Sequence, residues 1–171
     1  MRKVFILLVL GILAGLSGRA EAKEIYAFNL SKAPQDIETR EVKTAFGTLT
    51  VHHHNYPYGH VGDDQIKLNG RLIYTDKGNM HIYLQNKVFH FSNYEVVPLY
   101  ENTGGNFGDC FELIQIKRDG SISISKQGLY ITHDTTLEQQ GNRLIMKKVY
   151  RDSQNKLENW VFENGIMKRL K

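Results

Sequence analysis

The sequence predicts an all-β fold, an antiparallel β-barrel or β-sandwich of roughly nine or ten strands. Three observations predict it: Asn-Gly or Asp-Gly pairs between β-rich runs, apolar–polar alternation along those runs, and no sustained helical period anywhere in the 171 residues.

The turns come first. Asn69-Gly70 separates Gln65–Leu68 from Arg71–Tyr74, Asp119-Gly120 separates Phe111–Arg118 from Ser121–Ser125, and Asn164-Gly165 separates Asn159–Glu163 from Ile166–Leu170. A two-residue type I′ turn needs positive φ at both positions, which Asn-Gly and Asp-Gly supply at little steric cost. All three pairs therefore predict tight hairpins.

Alternation agrees. Ser121, Ser123 and Ser125 interleave with Ile122 and Ile124, which gives one wet face and one apolar face. Met80, Ile82 and Leu84 share a parity, as do Val42, Thr44 and Phe46. The run Val96–Tyr100 is apolar on both parities and predicts a strand buried on both sides. Its Pro98 has no N–H to give a ladder, which favours an edge or a bulge there. Short helical turns are expected at Ala33–Glu41 and Asp134–Gln140. A single open sheet would leave an apolar face bare, so the strands are expected to close or stack.

The N-terminus has three parts. Met1-Arg-Lys is basic, Val4–Leu16 is apolar, and Ala20-Glu-Ala22 offers a small-residue cleavage site. This is the pattern of a secretory signal peptide. The apolar run is short of the ~20 residues needed to span a bilayer. Residues 1–22 are thus expected to be removed, leaving 23–171 as a single β-rich domain in the periplasm or outside the cell, with no integral membrane segment.

Charge narrows the partners. Arg2, Lys3, Arg19 and Glu21 carry half of the formal +4 of the chain, so half of the basicity leaves with the leader. The rest is mixed in sign without a polybasic block, which makes nucleic acid a poor partner. Cys110 is the single cysteine, so no internal disulfide forms. It is expected to be a small buried hydrophobe rather than a nucleophile.

Two segments concentrate chemistry. Val51–Asp64 holds His52, His53, His54 and His60, four of the seven histidines, with Tyr56, Tyr58, Asp63 and Asp64. In an extended strand His52 and His54 face one way and His53 the other. His52, His54 and His60 with Asp63 or Asp64 form an expected zinc or copper ligand set, although the spacing matches no established zinc motif. The second segment, Tyr100–Glu112, carries Gly104, Gly105 and Gly108 with Asn106, Phe107 and Asp109. Glycine-rich loops on a rigid β scaffold are frequent recognition elements. Phosphate-loop, G-x-S-x-G and H-E-x-x-H patterns are all missing.

The leading expectation is an exported, non-catalytic binding protein without a cofactor. It would act as an inhibitor or immunity factor whose protein partner is a toxin or cell-wall-active enzyme. The expected contact residues are Tyr56, Tyr58, His60, Asn106, Phe107 and Asp109. Two alternatives stand beside it: a metal-binding protein or metal-dependent enzyme using the histidine segment, and a carrier of a small apolar ligand.

Overall fold

A computed structural model describes residues 24–27, 41–53, 64–76, 81–102, 109–131, 134–151 and 156–171. The expected leader lies outside them. Among the described residues there is no helix, so none long and apolar enough to cross a membrane. The strands are β1 (Glu24–Ala27), β2 (Glu41–Thr44), β3 (Gly47–His52), β4 (Asp64–Leu68), β5 (Arg71–Asp76), β6 (His81–Leu84) and β7 (Phe89–His90). They continue as β8 (Tyr94–Asn102), β9 (Asp109–Lys117), β10 (Ile122–Ile131), β11 (Thr136–Gln140), β12 (Arg143–Arg151), β13 (Leu157–Glu163) and β14 (Ile166–Arg169). The all-β expectation holds, with every pairing antiparallel. Among the described residues fourteen strands form where roughly nine or ten were expected, because several are only two to four residues long.

Among the described residues the strands do not make a closed barrel, which corrects one of the two expected forms. A four-stranded sheet runs β2-β3-β4-β5, and a ten-stranded sheet runs β1-β11-β12-β10-β9-β8-β6, with β13, β14 and β7 paired at its sides. Both faces of the β6, β8 and β9 region are covered. On one face, Leu49, Ile66 and Leu68 of the smaller sheet meet Ile82, Leu99 and Ile114. On the other, Tyr100, Phe111 and Leu113 meet Leu144, Trp160 and Phe162, so the larger sheet folds back over itself. Its register shifts in β10 between Ser125 and Leu129 and in β12 between Met146 and Val149, beside Lys148 at φ 58°. Such bulges bend and twist a strand. Each fully buried Phe, Leu or Ile of these cores is worth about 1.5–3 kcal/mol relative to exposure.

Double burial explains β8. Tyr94–Tyr100 is buried at every position, as its apolar parities predict. Pro98 is not at a sheet edge. It sits where pairing on one side passes from β7, set against Glu95 and Val96, to β6, whose last residue Leu84 pairs with Leu99. The Pro98 carbonyl accepts from Gln85 N–H at 3.0 Å on that side. In an antiparallel ladder a residue's N and O point the same way, so the missing donor falls at the break.

Two of the three turns are as expected. Asn69-Gly70 has φ 50° and 78°, and Asn164-Gly165 has φ 52° and 81°. The third is not type I′: Gly120 alone is positive, at φ 80°. There Gly120 N–H donates to Lys117 O, and Ser121 N–H donates to Asp119 Oδ1 at 2.8 Å. The aspartate caps its own bend and need not enter the left-handed region. The helical turn expected at Asp134–Gln140 is also corrected, since Thr136–Gln140 is β11, held between β1 and β12. Its weak alternation arises because Glu138 is buried there through a 2.8 Å ion pair with Lys147. The other expected turn, 33–41, lies outside the described residues up to Glu41, which opens β2.

Candidate functional site

The alternation of β4 leads to the site. Asp64, Ile66 and Leu68 share the buried parity, so a carboxylate occupies a position whose neighbours on that face are apolar. Asp64 is fully buried. A buried charge survives only with partners. Here Ile82 N–H of β6 donates to Asp64 Oδ2 at 3.0 Å, and His53 Nδ1 lies 2.8 Å from the same oxygen. The imidazole is 14% exposed. Its ring lies 5.5 Å from that of Tyr83, which lies 6.0 Å from Tyr100. Asp64 thus ties the smaller sheet to the larger one and fixes the His53 ring. A carboxylate on Nδ1 sets the tautomer of a neutral imidazole, or pairs with the protonated ring.

The sequence-predicted residues divide sharply. His52 is exposed, with Nε2 3.4 Å from Thr50 Oγ1. It faces away from His53, as alternation predicts. Asp64, an expected companion of His52 and His54, engages His53 instead. His54, Tyr56, Tyr58, His60, Asp63, Asn106 and Phe107 lie outside the described residues. Asp109 opens β9 with its backbone paired to Ile131. Cys110 is buried and forms no disulfide, as its being the single cysteine requires. Among the described residues no group of three or more His, Cys, Asp or Glu side chains is placed to hold a metal ion.

The strands bracketing the two chemically loaded segments end side by side. His52 ends β3 and Asp64 opens β4, and Asp64 reaches β6 through Ile82. In turn Ile82 pairs with Glu101, and Glu101 with Cys110 of β9. The described residues that flank segments 54–63 and 103–108, namely His52, Asp64, Asn102 and Asp109, therefore lie at the same end of the paired strands.

A second histidine–carboxylate pair went unrecognised in the sequence. Glu95 of β8 is 2% exposed and accepts from Ala45 N–H at 2.7 Å, with His90 Nδ1 at 2.5 Å. It clips the β2–β3 turn to the β7–β8 hairpin. Its imidazole is 71% exposed, so it closes over a carboxylate already held by backbone. A carboxylate on the buried parity of an apolar strand is the signal shared by Asp64 and Glu95.

Comparison with protein-family models, curated proteins and solved structures finds no match for this chain.

Proposed function

We propose that the protein is an exported, non-catalytic binding protein that inhibits or neutralises another protein at the cell envelope, with segments 54–63 and 103–108 as its contact surface. One observation carries the reading. The two segments that concentrate histidine, tyrosine, glycine and Phe107 spring from adjacent strand ends, and buried Asp64 pins the sheets together at their roots. Aromatic residues carried by a rigid scaffold bury area at low entropic cost, which suits recognition.

The interior supports this reading over the carrier alternative. Side chains fill the space on both faces of the β6, β8 and β9 region, including Phe89, Phe111, Phe162, Leu49 and Ile66 at almost zero exposure. The buried thiol of Cys110 likewise favours binding over nucleophilic chemistry.

Affinity capture from envelope extract tests it. The protein should recover one partner in stoichiometric amount, and replacing Tyr56, Tyr58 and Phe107 together by alanine should lose that partner without loss of fold. Hydrolysis of a cell-wall or peptide substrate by the purified protein, with no partner recovered, contradicts it.

A further inference from the structure

Strand β10 is paired on one side only over its first half. It meets β9 from Ile122 to Ile131 but β12 only at Leu129 and Tyr130, so among the described residues no strand takes the other side of Ile122–Ser125. Lys117 N–H donates to Ser121 O at 2.9 Å, which points the Ser121 backbone at β9. Direction alternates along an antiparallel strand, and a residue's N–H and C=O point the same way. Ile122 and Ile124 therefore turn their backbone groups outward, away from β9.

Open edges are normally guarded by charge or by a bulge. Exposed Glu41 and Lys43 guard β2, exposed Lys168 and Arg169 guard β14, and β5 carries a bulge opposite Ile66 and Lys67. The Ile122–Ser125 edge has neither device: isoleucine alternates with serine, and the register with β9 stays regular. A groove of about 760 Å³ runs beside it, lined by Ile122 and Ile124 and by Leu72 and Ile73 of β5. Leu72 is 51% exposed there.

We propose that this edge pairs with the same edge of a second copy of the chain, antiparallel about a two-fold axis at Ser123. Ile122 then exchanges backbone hydrogen bonds with Ile124 of the second copy, and Ser123 stands opposite itself. The register is self-complementary. Opposed residues share a face, so isoleucine meets isoleucine over the groove beside Leu72 and Ile73, and serine meets serine on the wet face. The ends match in charge as well: Asp119 of one copy falls beside the register position of Lys126 in the other. Strand β14 offers no such match, because the equivalent pairing centred on Lys168 opposes like charges. An edge of four residues belongs with the transient interfaces below about 1,200 Å², so the pairing is reversible.

Sedimentation velocity of the purified protein from about 10 μM to about 1 mM tests it. The native chain should pass from monomer to dimer and no further. Ser123→Lys and Ser123→Asp, changes at an exposed position, each set like charges across the axis and should weaken association at least about fivefold while keeping the β-sheet circular dichroism spectrum. An equimolar mixture of the two variants should regain the dimer, because opposite charges then meet at the axis. Lys168→Asp on β14 should leave association unchanged. A native chain that stays monomeric throughout, growth beyond a dimer, a dimer indifferent to both Ser123 variants, or a mixture no tighter than either variant alone would overturn the proposal.

Discussion

Asp64 Oδ2 stands 2.8 Å from His53 Nδ1 and 3.0 Å from Ile82 N, so one buried oxygen of the smaller sheet holds the histidine just past β3 and the backbone of the larger sheet. That junction sits at the root of the proposed contact surface, and the stability of the fold should register its loss. Asp64→Ala should destabilise the protein by about 3 kcal/mol in urea unfolding, because it strips the partner from a buried N–H and from His53. Asp64→Asn should cost less, as its amide oxygen still accepts from Ile82. A loss under about 0.5 kcal/mol for Asp64→Ala would show that the junction is not structural.

The Glu95 clip separates into strong and weak parts. Glu95→Ala leaves Ala45 N–H without its acceptor and should cost about 2 kcal/mol. His90→Ala should cost less than about 1 kcal/mol, since that imidazole is mostly in solvent. Equal losses for the two variants in the same denaturant series would contradict this ranking.

Gly165 should resist replacement. Its φ of 81° strains any L side chain, and an added Cβ would press on Gln115 Oε1. Gly165→Ala should lower stability by about 1–2 kcal/mol, most of it backbone strain because the amide end can shift. At Gly70, with φ 78° but open space around the Cβ position, alanine should cost only the strain. Thermal melts of both variants measure the difference, and an equal cost at the two positions would deny the contact with Gln115.

Phe111 tests the core between the folded-back parts of the larger sheet. Phe111→Ala should cost about 3–5 kcal/mol, the transfer loss plus an unfilled cavity. Exposed Ile166 of β14, replaced by alanine, should change stability by less than about 0.5 kcal/mol. Urea midpoints report both, and similar midpoints would contradict the assigned packing.

Burial raises the Tyr94 phenol above its ordinary value, against a smaller opposing effect from the Asn164 backbone. The fold therefore prefers the protonated ring. Its contribution to stability is complete below pH about 10 and falls as pH rises through the folded-state value. The alkaline decline in melting temperature should shrink in Tyr94→Phe. Asp119 behaves in the opposite sense: hydrogen bonds from Ser121 lower its pKa. Its contribution is present above pH about 4 and fades in acid.

Much of the fold was legible because local chemistry dictated it. Asn69-Gly70 and Asn164-Gly165 announced their turns, and Ile122 and Ile124 face the core while Ser121 and Ser123 face water. What stayed hidden depended on distant partners. Glu138 reads as an exposed residue until Lys147 is placed beside it. Glu95 acquires its role from Ala45, fifty positions away. Asp64 reads in the sequence only as a candidate ligand beside His52, His54 and His60, and neither its buried position on β4 nor Ile82 as its donor follows from spacing. Asn93, Asn142 and Asn164 come together from three turns far apart in the chain, and no spacing links them.

Photo-crosslinking in the producing cell tests the central claim most directly. A photoreactive residue at Tyr58 and, separately, at Phe107 should each trap the same discrete higher-mass adduct, while one at Ile166 traps none. The absence of an adduct from both Tyr58 and Phe107, or an equal yield from Ile166, would contradict a binding surface built from segments 54–63 and 103–108.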